Sequence, residues 1–318
     1  MSECVLITGA TGFVGGALTA RLARDAQFVV RAATRRYDWG PPVGSEAVVV
    51  GDLAPDSDFR LALAGVHCVV HTAARVHIMD DRSQNPLAEY RRVNVAGTLA
   101  LARQAAQAGV RRFIFVSSIK VNGESTPPAQ PFRASDPARP LDAYGLSKLE
   151  AEAELLGLSA ETGMELVIVR PPLVYGPGVG ANFQRLMRWV RKGVPLPFAA
   201  IDNRRSLVGI DNLVDLIGVC IRHPAAAGQV LLASDDEDVS TPELIRKLAT
   251  AMRVRARLIP VPPGLLRFAA SVAGNSAAVS RLCDSLQVDV SATRSLFGWK
   301  PPVSLDAGLL RTVGELAA

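Results

Sequence analysis

The stretch VLITGATGFVGGAL, residues 5–18, constrains this chain more than any other. A short apolar run ends at Thr8, Gly9, Gly12 and Gly15 follow at three-residue spacing, and an amphipathic helical pattern begins. Glycines at such positions allow a tight turn, close approach of a ligand to the backbone, and close packing of helix on strand. The helix start then offers free amides and the positive end of its dipole to an anion. The spacing is GxxGxxG rather than GxGxxG. At the first strand–helix junction of an alternating chain, it reads as a dinucleotide-phosphate turn rather than a purely structural one.

The alternation continues. FVVRAAT, AVVVGD, HCVVHTAA, RRFIFVSS and MELVIVRPP read as strands, with helices at DFRLALAG, at roughly 86–108 and at the segment containing Tyr144. Short apolar strands separated by helices predict an α/β fold, a Rossmann-like doubly wound parallel sheet covered on both faces. After Pro171 the rhythm breaks into Pro- and Gly-rich connections, with helices predicted at 181–191, 211–222, 241–252 and 264–272. Ser240 and Glu243 form a capping-box pattern for the third of these. The expected organisation is a nucleotide-binding domain over 1–175 and a smaller C-terminal substrate-binding lobe over 176–318, set at the carboxyl edge of the sheet. The apolar stretch GLLRFAASVAG, from Gly264, reads as a helix for core or interface packing rather than membrane contact.

The totals narrow the function classes. With 318 residues, 49% hydrophobic and 20% charged, the chain is globular. Its net charge of +5 suits an anionic ligand, but no Lys/Arg run is long enough for a nucleic-acid arm. Cys4, Cys68, Cys220 and Cys283 form no close pair, and His67, His71, His77 and His223 form no ligand set, so no metal is expected. No leader pattern and no apolar run of about 20 residues is present, so a cytoplasmic protein without membrane insertion is expected.

The end of the second strand bears on the cofactor. An Asp or Glu there would take the ribose hydroxyls of NAD, whereas Arg accommodates the extra phosphate of NADP. In VVRAATRRYDWG no acid stands at the strand end, and Arg35 and Arg36 follow Thr34. The arginines either are solvated or favour NADP(H), with NAD(H) as the alternative. Asp52, in VVVGDL, is expected to face the adenine amino group, with Leu53 beside the ring. Tyr144 and Lys148, four residues apart, share one helix face. Alone, they read as a surface pair.

Together, TGATGFVG, GDL, HTAA, VNVAGT, FVSS, YGLSK and RPPLVYGPG, in that order, resemble the extended short-chain dehydrogenase/reductase family, in its nucleotide-sugar epimerase/dehydratase group. The resemblance spans essentially the whole chain. It implies that Ser118, Tyr144 and Lys148 are catalytic. Tyr144 would be the proton shuttle, its phenol lowered by the Lys148 ammonium and the nicotinamide charge. Lys148 would also hold the nicotinamide ribose, and Ser118 the sugar oxygen. It further implies that Gly9, Gly12, Phe13, Val14, Gly15, Ala73 and Ala74 line the cofactor and that Pro171 and Val174 lie near the nicotinamide. Asn94 would brace the central strands. Arg205 matches an arginine directed at a nucleotide-sugar diphosphate, and the helix beginning at Asp211 would pack back on the large domain. Asn182 is a candidate diphosphate or sugar contact, and Lys120 stands at a sugar-facing position. Arg294 is either a second phosphate contact or an exposed helix arginine. The implied partner is a nucleotide sugar, with UDP the expected nucleotide, and homodimerisation is an expectation by analogy.

Departures from the family pattern narrow the reaction. Dehydratases of the group carry an Asp–Glu pair after the strand-five hydroxyl; here Ile119 and Lys120 stand there, and Ile119 cannot move a proton. Lys120 and Asn122 also depart from the epimerase pattern SSATVYG. The resulting expectation is a UDP-4-keto-6-deoxy-N-acetylhexosamine 4-reductase, close to the enzymes that form UDP-N-acetylquinovosamine for surface polysaccharide. A UDP-hexose 4-epimerase is the alternative, and a non-catalytic NADP-binding redox sensor stands well behind both.

Overall fold

The protein is described by a computed structural model covering residues 2–36, 38–76, 85–272, 274 and 276–314. Of the four histidines weighed above, His77 lies outside the described residues. The first half runs β1 (Glu3–Thr8), α1 (Phe13–Leu22), β2 (Phe28–Thr34), β3 (Ser45–Val49), α2 (Arg60–Leu63), β4 (Cys68–His71), α3 (Pro86–Tyr90), α4 (Thr98–Gln107), β5 (Arg112–Val116), α5 (Ala143–Thr162) and β6 (Glu165–Arg170). The second half holds β7 (Leu173–Tyr175), α6 (Ala181–Arg191), β8 (Leu207–Gly209), α7 (Ile210–Arg222), β9 (Val230–Leu232) and α8 (Thr241–Ala251). Last come α9 (Pro263–Val272), α10 (Ser276–Cys283), α11 (Ser291–Phe297) and α12 (Leu305–Gly314).

The sheet order is β3-β2-β1-β4-β5-β6-β9, all parallel. Alternation along each strand divides the apolar residues between two faces. Val5, Ile7, Ile114 and Val116 pack with α1 and α7, while Leu6, Val69, Phe113 and Phe115 pack with α2, α4 and α5. Each central strand is apolar at nearly every position because both of its faces are covered. The strand order reverses between β1 and β4, and the crevice at their carboxyl ends is where such sheets bind ligands.

The chain's return to the large domain is fixed by one buried arginine. Arg112 opens β5 and donates to the Cys220, Ile221 and His223 carbonyls at the end of α7, while pairing with Glu165. It satisfies carbonyls that the helix terminus leaves open. α7 therefore packs back on the sheet, and β9 returns with it to add the seventh strand. A boundary at residue 175 thus divides elements that share one core. The lobe has its own core of Phe183, Leu186, Met187, Ile245 and Leu309, with the two-stranded β7–β8 ladder beside it. The Ser240–Glu243 capping box forms at the start of α8.

Two elements differ from the sequence reading. The helix expected over 86–108 is interrupted by a wider π-turn at Arg91–Gly97. Such turns arise where an extra residue is accommodated within a helix. Asn94, within it, is buried and bonds Arg75 and Ser147, so it braces the loop after β4 to α5 rather than strand to strand. The apolar stretch from Gly264 forms α9, but only a narrow stripe of it is packed. Ala270 is buried and Leu266 packs on the lobe core, whereas Leu265, Phe268 and Val272 are 57%, 67% and 76% exposed. Of the two expectations, core or interface packing, the first holds only for Leu266 and Ala270; the helix lies across the lobe surface and turns the other side chains outward.

Candidate active site

The phosphate turn has the geometry its glycines require. Gly9 has φ +69° and accepts a 2.8 Å bond from the Gly12 amide. A Cβ at Gly15 would lie 2.2 Å from the Gly9 carbonyl, and one at Gly9 would lie 2.7 Å from the Ala73 amide. The turn after β1 is therefore pressed against the Thr72–Ala73 backbone after β4, which brings Gly9, Gly12, Gly15, Ala73 and Ala74 to the reversal point of the sheet. No side chain caps the start of α1. The amides of its first turn, at Phe13, Val14 and Gly15, point out of a helix end that favours an anion. These residues fit a dinucleotide: backbone donors, a positive dipole end, and a helix start that no side chain caps.

At the rim, Arg35 pairs with Asp52 at 3.2 Å and Arg36 with Asp38 at 2.9 Å, all four exposed. Leu53 sits against the π-turn, where a Cβ on Gly97 would come within 2.8 Å of its Cγ.

The acid–base candidates come from two elements that meet. Ser118 follows β5, and its hydroxyl accepts from the Lys120 amide. Asp142 caps α5 by accepting from the Gly145 amide at 2.7 Å, which fixes the first turn carrying Tyr144. A Cβ on Gly145 would stand 2.9 Å from the Lys120 carbonyl, so α5 seats directly on the loop after β5. One turn on, Lys148 is buried, donates to the Val116 carbonyl at 2.9 Å and lies 4.3 Å from the Phe115 ring centre. Pro171 closes the same wall, its carbonyl accepting from the Ile119 amide at 3.0 Å, and Val174 follows in β7.

Burial governs both protonation states. It pushes the Lys148 ammonium down to about 7, with Glu152 opposing. It raises the Tyr144 phenol, and the nearby Asp142 carboxylate and Tyr90 raise it further. The sequence reading put this phenol below its ordinary value. In the protein alone the opposite holds, because desolvation disfavours the phenolate and the Asp142 carboxylate adds to that. A lowered phenol thus depends on a cationic group bound beside it.

The lysine has a consequence for stability. In the unfolded chain its pKa is 10.5, so between about pH 7 and 10.5 the unfolded state binds more protons and stability rises with pH. The buried Cys68 and Cys220 thiols act oppositely above pH 9, since burial raises both to about 12. Nucleotide-free protein is therefore expected to gain stability from about pH 7 to 9, by at most about 1.4 kcal/mol per unit from this lysine. Urea titrations at three pH values should show that gain, and Lys148→Met should flatten it; equal slopes would remove the assignment.

The substrate-side candidates separate. Arg205 is largely buried, which pushes its guanidinium down, and it donates to the Asp284 carbonyl at 2.9 Å. Arg281, on α10, lies close enough to disfavour its charge further, and has a buried Nε with no hydrogen-bond partner. Two neighbouring guanidiniums are of the chemical type that pairs with a doubly charged anion. Nothing adjacent to Arg281 in the sequence singles it out, and only the fold brings it near Arg205. Arg294 pairs with Asp236 at the surface of α11 instead, which agrees with the exposed-arginine alternative. Lys120 is held between Glu124, at 3.0 Å, and Asp142. Asn182 is exposed in the first turn of α6. Among the described residues, no group of three or more His, Cys, Asp or Glu could hold a metal.

The chain is similar to known proteins along nearly its whole length. Residues 5–232 match the family described as NAD dependent epimerase/dehydratase. A UDP-glucose 4-epimerase of Vibrio cholerae is 49% identical, over 98% of this chain and 95% of its own length. An N-acetyl-alpha-D-glucosaminyl-diphospho-ditrans,octacis-undecaprenol 4-epimerase of Escherichia coli O157:H7 is 28% identical over 98% of this chain and 95% of its own. The crystal structure of UDP-N-acetylglucosamine 4-epimerase from Bacillus cereus covers all of both chains with a TM-score of 0.81 at 17% identity, a likeness of fold. With a nucleotide crevice, an extended match and this degree of identity, the chain belongs to the NAD dependent epimerase/dehydratase family, enzymes of the extended short-chain dehydrogenase/reductase type.

Proposed function

We propose that the protein is an NAD-dependent 4-epimerase of a UDP-hexose. The observation that carries this reading is the near full-length 49% identity to a protein named UDP-glucose 4-epimerase. The order of preference from the sequence is thereby reversed: the 4-keto reductase becomes the second reading. The case for it rested on Arg35 as an NADP phosphate receptor and on Lys120 and Asn122 as departures from the epimerase pattern; the Arg35 guanidinium already has Asp52 as a partner, Lys120 is engaged by Glu124 and Asp142, and Asn122 bonds Arg170. What still favours it is the absence of any acid at the end of β2.

The residues support chemistry at one carbon. The bound nicotinamide would supply the redox step, taking a hydride from C4 and giving it back. Tyr144 would remove the proton from the C4 hydroxyl and later return it, while Ser118 holds that oxygen in place. Lys148 would place a positive charge beneath the phenolate. Arg205 and Arg281 would hold the diphosphate while the 4-keto sugar turns to present its other face. Elimination of water would need a second acid and base beside Tyr144. Ile119 is buried and apolar, and Lys120 is engaged by two carboxylates, so neither supplies one.

Purified protein incubated with UDP-glucose and no added nucleotide should yield UDP-galactose, followed by NMR of the sugar anomeric protons. No interconversion, with stoichiometric loss of 340 nm absorbance on a UDP-4-keto-6-deoxy sugar and NADPH, would establish the reductase instead. Arg35→Ala tests the cofactor. If Arg35 reads a 2′-phosphate, its loss should raise KM for NADPH by about tenfold, the scale of one charge-assisted contact, and leave NADH nearly unchanged. An unchanged ratio would remove the case for NADP.

A further inference from the structure

The chain's charges are unevenly placed. Residues 181–201 carry Arg185, Arg188, Arg191 and Lys192, and residues 251–283 carry Arg253, Arg255, Arg257, Arg267 and Arg281. All 30 of the Asp and Glu residues lie outside these two segments. The segments are joined in the fold. The Leu196 amide donates to the Arg257 carbonyl at 2.8 Å, and the Ile259 amide to the Leu196 carbonyl at 2.9 Å. Along the second segment Val254, Ala256 and Leu258 pack on the lobe core, which turns Arg253, Arg255, Arg257 and Ile259 to solvent. α9 follows directly. Its Leu265, Phe268 and Val272, spaced three and four residues apart, form one exposed apolar face. On the first segment Trp189 and Val194 are also 39% and 37% exposed.

We propose that this face of the lobe is a docking surface for an anionic lipid bilayer. Exposed aliphatic and aromatic side chains set among cations, with no carboxylate in either segment, match a surface with buried acyl chains and negative headgroups. A second copy of the chain fits less well, because a two-fold contact through this face would bring like charges together. A polyanion such as nucleic acid would leave Leu265, Phe268 and Val272 without partners. The contact is peripheral: among the described residues no helix is long and apolar enough to cross a membrane. The face also lies beside Arg205, since Arg267 of α9 bonds the Asp284 carboxylate and Arg205 bonds the carbonyl of the same residue. Docking there would place the diphosphate end of the crevice close to the lipid surface.

Flotation of the full chain with vesicles tests this independently of the reaction. Vesicles of phosphatidylcholine with about 30 mol% phosphatidylglycerol should bind at least about tenfold more tightly than phosphatidylcholine alone, and added salt should weaken binding. The Leu265→Ser/Phe268→Ser variant should lose about tenfold or more of that affinity. Arg253→Glu/Arg255→Glu should remove the preference for the anionic lipid. All these positions are exposed, so unchanged melting temperatures would show that the variants fold. No binding to anionic vesicles, or equal binding by the folded variants, would overturn the proposal. So would a concentration-dependent dimer that only Leu265→Ser/Phe268→Ser abolishes, seen by light scattering without vesicle binding.

Discussion

Replacing Tyr144 by Phe is expected to lower turnover by about 10²–10⁴-fold, the usual contribution of a positioned acid–base group. The substitution removes one hydroxyl and keeps the ring, which meets Tyr90 edge-on with centres 6.2 Å apart. Packing, and with it melting temperature, should stay near wild type. Nucleotide binding should also persist, because the phosphate cradle is built of the backbone at Gly9, Gly12 and Gly15 and the uncapped start of α1. The measurement is a pair: turnover from initial rates, and NAD binding by fluorescence or calorimetry. Parallel loss of both would mean that Tyr144 shapes the crevice and transfers no proton. Residual activity near wild type would place the acid–base function on another residue.

The second large effect concerns stability. Arg170 and Glu152 form a buried ion pair, with side chains 8% and 3% exposed. Glu152 also accepts from Ser117, and Arg170 donates to Asn122 at 3.0 Å. This network ties α5 and β6 to the loop that carries Ser118. Arg170→Met leaves a carboxylate buried without its partner and is expected to cost about 3–5 kcal/mol. At this chain length that is a fall in melting temperature of roughly 5–8 °C. A Glu152→Gln/Arg170→Met double variant removes the buried charge and keeps an acceptor for Ser117, so much of the loss should return. Thermal melts of the three proteins decide the matter; a double variant no more stable than Arg170→Met would show that the ion pair is not the cause.

The same network explains one departure from the family pattern. Asn122 stands where a Tyr usually does, and from the sequence it bore on the choice between epimerase and reductase. In the fold it is 1% exposed and bonds Arg170 and the Arg133 carbonyl, so its role is to hold the loop. Lys120 changes in the same way. It was expected at the sugar, and its ammonium is engaged by Glu124 and Asp142, the second of which caps the helix of Tyr144. Residues 119–122 thus act largely as a mount for Ser118 and the first turn of α5.

The sequence by itself determined the doubly wound sheet, the phosphate turn at Gly9–Gly15 and the helix that sets Tyr144 and Lys148 on one face. Each of these follows from φ requirements or from spacings of two, three and four residues, and such information is local to the chain. Only the tertiary structure decided that Arg281 joins Arg205, that Arg294 turns away to Asp236, that Arg35 meets Asp52, and that one face of α9 stays uncovered. A charged side chain takes whichever partner the packing brings within reach, and those partners lie far away in sequence, as Asp284 does from Arg205. The phenol's protonation belongs with these. Its sequence neighbour Lys148 implies a lowered pKa, but desolvation in the assembled crevice and the capping Asp142 carboxylate raise it.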